Sequence, residues 1–272
     1  MGSNIIYHYT SAEGLRGILS GEHVCLRMTD TRFLNDKEEI VHGNQLVRNV
    51  IEKQNAKAEP TLPGIPSHTE FMSMLLGSVS KRVFYSVSFS SEIEQLSQWL
   101  SYCPQQGGYA IGFNKEKLEE HLKQSEKEMI FSPVNYVDDI EELITQRNKI
   151  QYQYSSVDLS NRVSRDLSMY GLVPEIERVL ATSKQSHFKS ENECRVYAVK
   201  VDGETKNNLE FFNKGSVLVP YIPLKIPKSI ITQIIVGPMQ HQELAAIALN
   251  DFKRANQYEF TILKSKIPFR CF

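Results

Sequence analysis

Strand-forming segments recur along this chain without the regular helical spacers that a parallel, doubly wound sheet requires, and this irregular order constrains the fold more than any single motif. Residues 83–90 alternate Val83, Tyr85, Val87 and Phe89 with Phe84, Ser86, Ser88 and Ser90, the period of a strand. Val24, Leu26 and Met28 alternate with polar neighbours in the same way and end at Thr29 and Asp30. Further strands are expected over 109–113, 129–137, 194–201, 209–219, 230–236 and 259–264. Helices are expected after Thr10, from Asn35 through Val50, after Ser91, over 115–127 and over 242–254. The last is expected to bury Leu244, Ile247, Ala248 and Phe252. No repeat period emerges, so one α+β domain over residues 1–272 is the reading. Prolines 60, 63 and 66 mark a loop at 55–68, and residues 138–187 read as a helical insertion broken near Gly171 and Pro174. Its basic residues, Lys184 among them, read as a solvated face.

Charge and cysteine content exclude several function classes. Thirty-one basic against 32 acidic residues give no global attraction to polyanions, so a nucleic-acid site has to be a local patch. Four widely separated cysteines offer neither zinc-ligand spacing nor a secreted disulfide framework, which fits a reducing cytoplasm. No apolar run approaches a membrane span, and no metal is expected.

Two places concentrate chemistry. Tyr7, His8, Tyr9 and Thr10 lead directly into a helix start, placing an imidazole, hydroxyls and free backbone N–H groups in one small volume suited to a ribose or phosphate. Thr10 with Glu13 also fits a capping box, which would make Thr10 a helix starter only. The second place is the strand entry Glu191, Asn192, Glu193, Cys194 and Arg195. Alternation puts Glu191, Glu193, Arg195 and Tyr197 on one face, either as a solvated charge cluster or, in a cleft, as carboxylates facing a developing cation. Tyr9, Phe89, Trp99 and Tyr102 are candidates for a stacking surface, with core packing the competing account. A capping box at Ser91 and Glu94 would bury Ile93, Leu96 and Leu100 and leave Trp99 partly accessible.

These residues, together with Leu34, Asn35, Asp36 and Glu39, Ser88 to Ser90, Tyr109 to Phe113 and the ending Ser265 to Arg270, resemble domain of unknown function 2971 over nearly the whole chain. That bacterial family is similar to the ADP-ribosyltransferase superfamily, and the N-terminal run looks like the opening of its DNA-modifying toxin branch. The resemblance implies a split β-sheet core flanked by helices and NAD as substrate. His8 with Thr10 would contact the adenosine-side ribose, Ser88 and Phe89 would lie near the nicotinamide, and Arg27 or Arg32 would hold the pyrophosphate, with Tyr9, Trp99, Tyr102 and Arg195 completing the cofactor site. Glu193 would be the catalytic glutamate, and Glu191 would select or activate the acceptor. Phe188 stands where the family's tryptophan usually precedes the paired glutamates. The activity implied is transfer of ADP-ribose to nucleic acid or protein by a toxin or phage-defence effector, with an antitoxin or defence partner. An NAD glycohydrolase and a catalytically silent nucleotide- or protein-binding module are the alternatives.

Overall fold

The central strand of the sheet, β3 (Arg82–Ser90), organises the computed structural model, which describes residues 4–34, 67–103, 107–125, 128–138, 161–201 and 209–268. Along one edge it pairs for its whole length with β8 (Glu193–Val201), from Arg82 opposite Val201 to Ser90 opposite Glu193. Its other edge is shared by two strands that diverge. β2 (Val24–Asp30) pairs at Tyr85 and Ser86, whereas β1 (Ile5–Thr10) pairs only at Ser90. Beyond β1 follow β4 (Tyr109–Asn114), β11 (Ile231–Val236) and β12 (Thr261–Lys264); beyond β2 follow β10 (Val217–Ile226) and β9 (Glu210–Lys214). β5 (Ile130–Pro133) extends β8. Pairing is antiparallel except between β11 and β12, giving a mixed α+β architecture on a large sheet. A separate two-stranded parallel sheet joins β6 (Asn135–Tyr136) to β7 (Ser183–Lys184).

Alternation decides what each face of this sheet carries. Val83, Tyr85, Val87 and Phe89 join Cys194, Val196 and Ala198 in the main core, together with Leu15, Ile18 and Leu19 of α1 (Ala12–Leu19) and Leu118 and Leu122 of the charged helix Lys115–Gln124. On the opposite face, Phe84 and Tyr197 are covered by α2 (His68–Val79) and the long helix Arg162–Thr182 through Phe71, Leu75, Ile176 and Val179. Ser86, Ser88, Glu193 and Arg195 continue that second face beyond the cover, where a cavity opens instead.

Several sequence expectations are corrected. The first helix is capped by Ser11, whose hydroxyl accepts from the Gly14 N–H, and Thr10 ends the strand. Ser67, placed in the 55–68 loop, caps α2 in a capping box with Glu70, because its hydroxyl and the glutamate satisfy one another's backbone donors. The long helix runs through Gly171 and Pro174 without a break, held by buried Leu172, Val173 and Ile176. Residues 209–219 form the hairpin β9–β10, turning at Gly215 with φ of 62°, a conformation that favours glycine. Glu94 adopts φ of 63°, and its carboxylate accepts from Ser265 and the Lys266 N–H, so no box forms with Ser91. The following helix starts at Leu96 with its phase reversed: Trp99 and Gln98 are buried, while Ile93, Leu96 and Leu100 are exposed. The helix Gln242–Ala255 is rotated likewise, burying Leu249 and exposing Leu244 and Ile247. Gln242 sets that phase by donating to the carbonyls of Val236, Gly237 and Ser265. The helix expected from Asn35, with Asp36 and Glu39, the prolines of the loop and residues 139–160 of the insertion lie outside the described residues. Among the described residues no helix is long and apolar enough to cross a membrane.

Candidate functional site

Where β1 and β2 part, the edge of β3 between Ser86 and Ser90 has no strand beside it. An unpaired carbonyl in such a gap needs a partner. His8 supplies it, its Nδ1 lying 2.9 Å from the Ser88 carbonyl oxygen. Because a carbonyl only accepts, Nδ1 carries the proton, and in the neutral ring Nε2 is left as an acceptor. Burial lowers the His8 pKa and so favours the neutral ring, against the opposing effect of the Ser88 hydrogen bond. Phe89 packs its ring edge-on behind the imidazole at 5.9 Å.

The resulting cavity, about 940 Å³, is lined by residues far apart in sequence. Its floor is an ionic cluster. Arg195 donates from Nε to Glu193 Oε1 at 2.6 Å and from Nη2 to Oε2 at 3.0 Å, while Nη1 donates to the Ala181 carbonyl at 3.1 Å. Lys184 Nζ lies 2.7 Å from Glu191 Oε2 and 3.3 Å from Glu193 Oε2. The main-chain N–H of Glu193 donates to the Tyr136 hydroxyl at 2.7 Å. Burial by itself raises the Glu193 pKa, yet the charge and hydrogen bonds of Arg195, the charge of Lys184 and the Ser88 hydroxyl outweigh it and lower the value to about 2. The carboxylate is therefore ionised at neutral pH and unsuited to act as a general acid.

The opposite wall is cationic. Arg27 rests its guanidinium on the rings of Phe212 and Tyr221, 4.7 and 5.6 Å from their centroids, and Lys214 donates to the Phe33 carbonyl. Ser11, the N-cap of α1, also lines the cavity. Among the described residues, Arg27, Lys184, Arg195 and Lys214 share the lining with Glu191 and Glu193.

Of the residues expected at the site, His8, Tyr9, Arg27, Ser88, Tyr102, Glu191, Glu193 and Arg195 line this cavity. Thr10, Arg32, Phe89 and Trp99 do not. Thr10 turns its side chain toward Gly14 at the strand–helix junction, where a larger residue than glycine would collide with it. Arg32 is taken by Asp30, whose carboxylate it grips from Nε and Nη2. Phe89 lies in the main core, and Trp99 packs edge-on against Tyr9 at 4.7 Å in a third cluster with Tyr7, Ala110 and Ile235. The aromatic-platform role for Trp99 is therefore withdrawn. Tyr9 lines the wall but turns its hydroxyl to the Glu92 carbonyl and the Gln95 N–H, and burial pushes its pKa up to about 12. The solvated-face reading of Lys184 fails, since that side chain is 5% exposed. Sequence reasoning also missed Tyr136, Gln98, Phe212 and Lys214. No local pattern marks them, because tertiary pairing alone brings them to the cavity. Among the described residues no group of three His, Cys, Asp or Glu side chains is placed to hold a metal, and Cys25, Cys103 and Cys194 form no disulfide with one another.

Residues 98–196 match the model of a family described as protein of unknown function (DUF2971). That stretch carries the ionic floor of the cavity and its helical lip, from Gln98 through Lys184, Glu191, Glu193 and Arg195. No curated protein and no solved structure matches the chain.

Proposed function

We propose that this cavity binds NAD and that the protein transfers its ADP-ribose to an acceptor. One observation carries the reading: His8 on β1, Ser88 on β3 and Glu193 on β8 are joined across adjacent strands. The imidazole is bonded to the Ser88 carbonyl, Ser88 is paired across the strands with Arg195, and Arg195 grips the Glu193 carboxylate. The order of histidine, aromatic strand and glutamate is the one the superfamily resemblance implies. The dinucleotide's chemistry fits the remaining walls. Its diphosphate carries two negative charges, which the side chains of Arg27 and Lys214 and the N-terminus of α1 suit. In the reaction the bond between ribose C1′ and the nicotinamide nitrogen breaks, and its electron pair leaves with nicotinamide. Positive charge develops at C1′ and the ring oxygen, beside carboxylates fixed in advance by Arg195 and Lys184. An acceptor oxygen or nitrogen, on nucleic acid or protein, then bonds to C1′ and loses its proton. A toxin or phage-defence role, with an antitoxin or defence partner, rests on the resemblance alone.

One observation favours a second reading, a catalytically silent binding module on the same fold. Both oxygens of Glu193 are already engaged by Arg195 and Lys184. Incubating the protein with NAD labelled on the adenosine side, alone and with a cell lysate, separates the readings. Free nicotinamide with label on a macromolecule is the expected result. Nicotinamide release with the label left on free ADP-ribose points to a glycohydrolase, and NAD binding without release to the silent module. Absence of both binding and release refutes the NAD reading.

A further inference from the structure

We infer that Glu191, oriented by Lys184, presents the carboxylate that contacts the ligand, and that Glu193 is the buried anchor beneath it. The inference rests on the NAD reading and assigns the contact to a ribose hydroxyl. A carboxylate offers about four acceptor positions. Glu193 meets Arg195 Nε on one oxygen and both Arg195 Nη2 and Lys184 Nζ on the other, and its side chain is 5% exposed. Glu191 differs. Its Oε2 accepts from Lys184 at 2.7 Å, its Oε1 has no partner among the described residues, and its side chain is three times as exposed, at 15%. The main chain fixes this geometry. The Ser90 hydroxyl donates to the Glu191 carbonyl at 2.8 Å, and Asn192 adopts φ of 44°, a left-handed turn that lets both carboxylates reach one ammonium group. Lys184 is itself held: β7 pairs it with Tyr136, and the Phe188 ring lies 4.7 Å from its Nζ. Lys184 is thus a positioning residue, and the free oxygen of Glu191 is the acceptor aimed at the ligand.

Calorimetric titration with ADP-ribose, which retains the ribose diol and is not consumed, tests the assignment. In Glu191→Gln the amide carbonyl stays on Lys184 and the NH2 turns to the cavity, replacing an acceptor with a donor. Affinity is expected to fall roughly 10- to 100-fold, the loss of one hydrogen bond to a charged group. Glu193→Gln combined with Arg195→Met removes the anchor without leaving a buried charge, and its loss of affinity per folded molecule should be smaller than that of Glu191→Gln; an equal or larger loss overturns the anchor role of Glu193. Lys184→Met should weaken binding as Glu191→Gln does, and the double variant should be no weaker than either single, the mark of two groups acting as one unit. No heat with wild-type protein overturns the NAD reading itself. Binding by wild type with unchanged affinity in Glu191→Gln overturns the role of Glu191 alone, and additive losses in the double variant overturn that of Lys184.

Discussion

Removing both charges of the central pair, Glu193→Gln with Arg195→Met, should flatten the acid limb of the protein's stability curve. In the fold the Glu193 carboxyl sits at about 2 against an ordinary value of 4.5, because the Arg195 charge and hydrogen bonds, Lys184 and Ser88 outweigh its burial. A carboxylate depressed in this way binds fewer protons folded than unfolded, so stability rises with pH between the two values. The contribution is fully present above 4.5 and is lost as pH falls through the folded value near 2. At about 1.4 kcal/mol per pH unit it is worth about 3 kcal/mol, of which about 2 kcal/mol disappears between pH 5 and pH 3. Urea unfolding followed by far-ultraviolet circular dichroism at pH 7, 5, 4 and 3 measures it as a difference between wild type and the double variant, in which other carboxylates cancel. The variant should lose about 2 kcal/mol less than wild type from pH 5 to pH 3. Equal losses in the two proteins would show that Glu193 titrates as an ordinary surface carboxyl and that the buried cluster is misread.

Three further outcomes follow from the structure. The His8 ring, half-buried and bonded through Nδ1, should titrate below the ordinary value of 6.5 in an NMR pH series and show the Nδ1–H tautomer when neutral; a value at or above 6.5 would contradict its place in the wall. Gly237→Ala would set a Cβ 2.6 Å from Trp99 Cζ3 and 2.7 Å from the Gly108 carbonyl, so it should cost about 1–3 kcal/mol and alter the emission of Trp99. In wild type that emission should be blue-shifted and poorly quenched by acrylamide, since Trp99 is 4% exposed, and free quenching would return it to the cavity rim.

The sequence alone determined those features that depend on neighbours two to four residues away. Alternation placed strands at Val24–Asp30 and over 83–90, the latter observed as Arg82–Ser90, and it correctly put Glu193 and Arg195 on one face with Cys194 and Val196 on the other, since successive side chains of a strand must point to opposite sides. The strand-to-helix junction at Thr10 and Ser11 was legible for the same reason, off by one residue at its cap. Which face meets which neighbour was decided only in three dimensions. The periodicity of β3 separates Phe84, Ser86 and Ser88 from its core face, but only the docking of α2 and the long helix covers Phe84 and leaves the serines at a cavity. Helix phase behaved alike. Trp99 went inward and Leu96 and Leu100 outward because Glu94 bonds to Ser265 and Lys266, partners about 170 residues away that no local pattern announces. Lys184 reads as one more charge on a helical stretch. It becomes part of the site because β7 pairs with β6 and carries its ammonium to two glutamates that enter from another strand, and burial among opposite charges is a property of that assembly, with no trace in the spacing of the residues.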